Sequence, residues 1–276
     1  MHLRYRPSAP SFNIMEKDEL FIKRIQELAT VADRRGHVTF TDFLNLNEQH
    51  ILHQTLQKFS WIRGETFGGY EGSERCIAAF VPDAVYYEAE TDGIRNPEDT
   101  ITYPITCIRI QPLNLKFAEK LSHRDILGSL MNLGIERSKT GDIAVGDTES
   151  YLFCHSSLAE LICTELTRIR HTVVQCQICT PDSFSYTPKL QRISGSVASV
   201  RLDALMSVAL QTSRSSLISL IEEGKVFVNG KLMTTNAYSP APGDLISVRG
   251  HGKFRYISVS GQTKKGRCIV DLDRYV

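Results

Sequence analysis

Gly224-Lys225-Val226-Phe227-Val228-Asn229-Gly230 is the stretch on which the reading of this chain turns. Lys225 to Val228 alternates as a strand does, and the Asn-Gly pair that follows supplies the two positive-φ residues of a tight hairpin. Gly224, at the head of the stretch, ends a helix in the left-handed conformation that glycine tolerates. That helix starts from Ser213 as N-cap and turns Leu217, Leu220 and Ile221 inward. Further upstream, Ser199 is placed to cap a helix from Val200 to Gln211 whose Leu202, Leu205 or Met206, and Ala209 form an apolar stripe. Downstream, a Pro242-Gly243-Asp244 turn leads into Leu245-Ile246-Ser247-Val248 and then Arg249 to Arg255. The pattern predicts two short helices on a small twisted sheet over residues 197–276.

The whole chain has 276 residues, 42% hydrophobic and 23% charged, the composition of a soluble globular protein of two or three domains. It holds no apolar run of transmembrane length, and Met1 to Lys17 lacks the apolar stretch of a secretory signal. A cytoplasmic protein with no membrane partner is expected, and seven scattered cysteines fit reduced thiols. The net charge of +1 conceals an asymmetry: Val197 to Val276 carries 11 Lys or Arg against 6 Asp or Glu, the rest 21 against 25. A basic tail end suggests a polyanion partner, although a solvated surface would also account for it.

Between residues 100 and 180 the pattern is strand Ile105 to Ile110, helix Ser122 to Leu133, strands Asp142 to Val145 and Tyr151 to His155, helix Leu158 to Ile169, and strand Thr172 to Cys179. That β-α-β-β-α-β order predicts a ferredoxin-like, RRM-like middle domain. Tyr151 and Phe153, two apart, share a sheet face where bases could stack, and with Arg109 they are the expected second RNA contact. The competing reading is that these rings pack under a neighbouring domain. Residues 1–87 are read as a small α/β domain. It comprises a helix over residues 15 to 35, a second helix capped by Asn47, and strands Ser60 to Phe67 and Arg75 to Val81 around a Gly68 to Gly72 turn. Glu88 to Asp99 and Thr180 to Ser196 read as connectors. The fold class is α+β throughout.

Arg201-Leu202-Asp203, Ser213-Arg214-Ser215, the Gly224 to Gly230 stretch and Gly243-Asp244, in this order and spacing, resemble the RNA-binding domain named after ribosomal small-subunit protein four, here the S-four domain. With Ser122 to Gly128, Leu133 to Arg137 and Gly141-Asp142-Ile143 added, nearly the whole chain resembles the YlmH family. These are bacterial S-four proteins often encoded beside cell-division genes. The resemblance implies binding to rRNA or tRNA on the large ribosomal subunit, in quality control or rescue of stalled translation. The residues themselves fit that implication. At Ser213, Arg214 and Ser215 free amides, a helix dipole and a guanidinium would face a phosphate. Arg201, Lys225, Lys231, Arg249, Lys253 and Arg255 would extend the positive surface, recognising RNA shape more than bases. Asp203, in the first helical turn, is expected to support the helix dipole or to pair with a nearby arginine, and not to meet RNA.

Several signals point elsewhere and fail. Arg201-Leu202-Asp203 resembles the catalytic loop of pseudouridine synthases, yet it sits inside the S-four helix and has no second copy. His123-Arg124-Asp125 lacks the other parts of a kinase site. Cys176 and Cys179 have metal-ligand spacing but no second pair, and His50 and His53 have no third ligand nearby. No phosphate-binding or dinucleotide loop occurs. A non-enzymatic RNA-binding protein without cofactor, metal or small-molecule substrate is expected, with oligomeric state open. The alternative is an RNA-modifying enzyme whose site goes unrecognised.

Overall fold

Apolar spacing along the first helix decides what it packs on. The structure, a computed structural model, describes residues 11–58, 61, 63–83, 85, 101–179, 184 and 189–275. In α1 (Ser11–Arg35) the buried Ile25, Ala29 and Ala32, spaced four and three apart, meet Leu44, Leu52, Ala78 and Phe80. β1 (Thr39–Leu44), α2 (Leu46–Lys58), β2 (Gly64–Phe67) and β3 (Cys76–Phe80) follow, the strands forming an antiparallel sheet in the order β1-β3-β2. β1 was not expected. Its run Thr39-Phe40-Thr41 has strand chemistry, and the buried Thr41 hydroxyl accepts the Ala78 amide at 2.9 Å. The cap of α2 is Asn45 and not Asn47: Asn45 Oδ1 accepts the amides of Asn47 and Glu48, while Glu48 Oε2 accepts the Asn45 amide at 2.7 Å. The acidic connector read at Glu88 to Asp99 lies outside the described residues.

The next elements are β4 (Ile105–Pro112), α3 (His123–Asn132), β5 (Thr140–Val145), β6 (Ser150–His155), α4 (Ala159–Glu165), β7 (Arg168–Ile169) and β8 (Thr172–Ile178). They build a five-stranded sheet ordered β5-β6-β4-β8-β7. Ahead of α3, the amide and hydroxyl of Ser122 both donate to Asp125 Oδ2, at 2.9 and 2.6 Å, a carboxylate closing the first turn. These two hydrogen bonds hold the Asp125 carboxyl below its ordinary range. The helix expected to reach Ile169 stops at Glu165, because the chain turns into β7, which pairs with β8 through Arg170 at a φ of 54°.

The C-terminal elements are β9 (Leu190–Val197), α5 (Leu202–Leu210), α6 (Arg214–Glu222), β10 (Val226–Val228), β11 (Lys231–Leu232), β12 (Leu245–Val248), β13 (Gly252–Gln262) and β14 (Cys268–Tyr275). All six strands are antiparallel, in the order β11-β10-β12-β13-β14-β9. β9 occupies part of the expected connector, and α5 starts at Leu202 with Arg201 as its N-cap in place of Ser199. Ser213 caps α6, and Asn229 and Gly230 turn the β10-β11 hairpin with φ of 48° and 75°. One sheet face carries Val226, Val228, Ile246, Val248, Phe254, Val270 and Leu272, which bury Leu202, Leu205, Met206, Leu217 and Ile221 of the helices. α5 approaches so closely that a Cβ on Gly195 would stand 2.6 Å from Val208 Cγ1.

The chain divides into two compact units. One is residues 1–108, 128–142 and 152–167; the other is 109–127, 143–151 and 168–276. Among the described residues no helix is long and apolar enough to cross a membrane.

Candidate nucleic-acid interface

The loop between α5 and α6 gathers four of the expected residues. Gln211 adopts a left-handed φ of 52°, which lets Ser213 turn its hydroxyl onto the Ser216 amide and expose the start of α6. Ser213 Oγ also meets the hydroxyls of Ser215 and Ser216, at 3.1 and 2.8 Å. Arg214, half exposed, reaches back to Asp203, whose Oδ1 lies 3.5 Å from Arg214 Nη2 and 3.4 Å from Arg201 Nε. Asp203 is buried, as its pairing demands, and one carboxylate between two guanidinium groups leaves a net positive corner.

The remaining expected cations lie elsewhere. Lys225 follows the far end of α6 and pairs with Glu223 at 2.5 Å. Lys231 is exposed on β11. Lys253 and Arg255 flank the buried Phe254, so strand alternation turns them to the sheet face opposite the helices. There they stand across from Ser247 and Leu245, with the exposed Arg249 in the turn before β13. Lys253 Nζ lies 5.0 Å from the centroid of the Tyr275 ring, whose hydroxyl accepts from Arg255 Nη2 at 3.4 Å. Asp273, the cross-strand neighbour of Arg255, is taken by Arg192 through two hydrogen bonds of 2.5 and 3.1 Å. Five of the predicted cations thus form two groups, Arg201 and Arg214 at the helix corner and Arg249, Lys253 and Arg255 on the outer sheet face, while Lys225 and Lys231 belong to neither. Three more were missed: Lys264, Lys265 and Arg267, exposed at the β13-β14 turn. The Lys-Lys-Gly between two alternating runs was their signal in the sequence.

The second RNA contact does not stand as expected. Tyr151 and Phe153 are 3% and 2% exposed, so no base can stack on them. Phe153 stacks on Tyr70 with ring centroids 5.0 Å apart, beneath Gly69, where a Cβ would fall 2.3 Å from the Phe153 ring and φ is 101°. Tyr151 meets Phe184 edge to face and donates its hydroxyl to Glu149 at 2.6 Å. Arg109 is partly exposed and donates to Gln177 Oε1 at 2.8 Å.

What covers Phe153 is a latch of hydrogen bonds within one unit. Asp142 accepts from the Tyr70 hydroxyl and from the amides of Glu74 and Arg75. The Arg75 guanidinium donates to three carbonyls, those of Phe43, Arg137 and Thr140, at 2.8, 3.1 and 2.9 Å. Burial, and then the adjacent Arg75, bring the Arg137 guanidinium down to about 10. The seven cysteines are free thiols, and no group of three or more His, Cys, Asp or Glu among the described residues could hold a metal ion.

Residues 17–85 match the family model described as "YlmH, N-terminal", and residues 99–182 match "Putative RNA-binding domain in YlmH". The chain is 29% identical over 264 residues to "Ribosome-associated protein quality control protein P2" of Bacillus subtilis (strain 168), covering 94% of this chain and 96% of that protein. Among solved structures, "Cell division protein ylmH from Streptococcus pneumoniae" is 21% identical with a TM-score of 0.45, over 65% of this chain and 96% of that one. The two family models follow one another along the chain and together span more than half of it; with the motifs quoted at the outset, they establish that this chain belongs to the YlmH family.

Proposed function

We propose that this chain is a cytoplasmic RNA-binding protein of the ribosome, holding structured rRNA or tRNA on the large subunit during quality control or rescue of stalled translation, and doing no chemistry of its own. In this reading residues 197–276 are the S-four-type domain and residues 100–180 the ferredoxin-like one. The strand order β5-β6-β4-β8 supports the second assignment, since it is the order of the split βαβ plan. The relative named for ribosome-associated quality control supports the setting. The observation that carries the proposal is the excess of cations on the outer face of the C-terminal sheet. Arg249, Lys253, Arg255 and Arg192 stand there against two carboxylates, Asp273, which Arg192 occupies, and Asp271, which accepts the Ser194 hydroxyl at 2.6 Å.

Phosphate contacts release counterions, so they are read from salt dependence. Binding of the full chain to tRNA and to large-subunit rRNA fragments is measured by fluorescence anisotropy across a salt series. The paired substitution Lys253→Ala with Arg255→Ala is expected to flatten the slope of log affinity against log salt by about 1.8, each contact contributing about 0.9. A pair that leaves slope and affinity at wild-type values removes the outer face from the interface.

A further inference from the structure

β13 extends well past its pairing with β12. The β12 ladder ends at the pair Leu245 and Arg255, while β13 continues with β14 to the pair Gln262 and Cys268. Two register shifts, between Tyr256 and Ser258 and between Val259 and Gly261, add residues to β13 and coil the extension. At its end the turn is fastened by hydrogen bonds. The Thr263 amide donates to the Arg267 carbonyl at 2.8 Å, the Gly266 amide to the Thr263 carbonyl at 2.9 Å, and the Arg267 amide to Thr263 Oγ1 at 3.1 Å. Arg267 itself is spent on structure, donating through Nη2 to the Ser196 carbonyl at 2.7 Å and through Nε to Ser196 Oγ at 3.3 Å.

Lys264 and Lys265 therefore project, exposed, from a hydrogen-bonded tip, and Ser258 to Val270 contains no Asp or Glu; the next carboxylate, Asp271, stands across from Ser258 and accepts the Ser194 hydroxyl. That stretch also contains no aromatic residue on which an unpaired base could stack. Such a tip suits the phosphates of a helical RNA, and its hydrogen-bonded turn reduces the ordering cost of contact. Counted along β14 from Tyr275 to Cys268 at about 3.3 Å per residue, the tip stands roughly 25 Å from Lys253.

We propose that the β13-β14 turn is a second phosphate-binding pole, through Lys264 and Lys265, and that the RNA ligand is a duplex lying along β13 and long enough to touch both this pole and the Arg249, Lys253 and Arg255 group. The inference rests on the RNA-binding reading above and adds to it the ligand's form and minimum length. A 6-base-pair duplex would be about 20 Å long even at the roughly 3.4 Å per pair of B-form DNA, and A-form RNA rises less per pair, so it is too short to reach both poles; a 16-base-pair duplex reaches them with length to spare.

The test compares labelled 6- and 16-base-pair RNA duplexes on the full chain by anisotropy across a salt series. Wild-type protein is expected to show a steeper slope on the longer duplex by about 1.8, two contacts at about 0.9 each. Lys264→Ala with Lys265→Ala abolishes that difference and lowers affinity for the longer duplex, whereas Lys264→Arg with Lys265→Arg keeps both. If the alanine pair binds the longer duplex with wild-type slope and affinity while Lys253→Ala with Arg255→Ala weakens it, this inference is wrong and the RNA-binding reading stands. If wild-type protein binds neither duplex, nor tRNA or rRNA fragments, both fall together.

Discussion

Gly195 and Asp203 show how single side chains set the C-terminal unit. A methyl group at Gly195 would be driven into Val208, 2.6 Å away on the helix it faces. Gly195→Ala is expected to destabilise the protein by about 1–3 kcal/mol, the usual cost of forcing an extra carbon into a packed interface. A lowered urea midpoint with an unchanged denaturant slope is the expected result, and an unchanged midpoint would mean that α5 is free to shift. Asp203 acts differently. Buried and shared by Arg201 and Arg214, it orients both guanidinium groups while cancelling only one of their charges.

Capping chemistry governs the elements, and α2 gives it in its reciprocal form. Asn45→Ala removes the acceptor of two amides and is expected to cost about 1 kcal/mol, read as a fall in the thermal midpoint, with Asn47→Ala near neutral. Two asparagines, one on each side of Leu46, have the side chain of a cap. Only the neighbouring Glu48, three residues after Asn45, distinguishes them. Elements with both an amphipathic period and a punctuating residue were legible: α6 between Ser213 and Gly224, the Asn229-Gly230 hairpin, and α3 behind Ser122. β1 and β9 were not. The Gln, Ser and Gly of β9 carry little hydrophobic signal, β1 is only six residues long, and the place of each depends on partners distant in sequence, β3 for β1 and β14 for β9. The candidate site was legible as residue types but not as geometry. Periodicity turned Tyr151 and Phe153 to one face, yet could not foretell that the Gly69 and Tyr70 turn covers Phe153, since that contact joins residues more than eighty apart. Lys264 and Lys265 lie beyond Gly243-Asp244, the last of the motifs that carry the resemblance, so residue type alone marks their hairpin.

For the molecule taken together, charge is divided along the chain, with the cationic excess confined to the last eighty residues. Five phosphate contacts, by Arg249, Lys253, Arg255, Lys264 and Lys265, give an expected slope of about −4.5, or roughly a 500-fold loss of affinity for a 16-base-pair RNA between 50 and 200 mM salt. A titration showing less than a tenfold loss would contradict an interface of that size. The Arg75 latch belongs to another class of interaction. Its guanidinium spends its donors on backbone carbonyls in a partly buried setting, where mobile ions screen poorly and the acceptors carry no net charge for them to compete with. An eluent strong enough to strip the protein from an immobilised polyanion should therefore release it with this half of the chain still native, so that capture and recovery can be cycled on one sample.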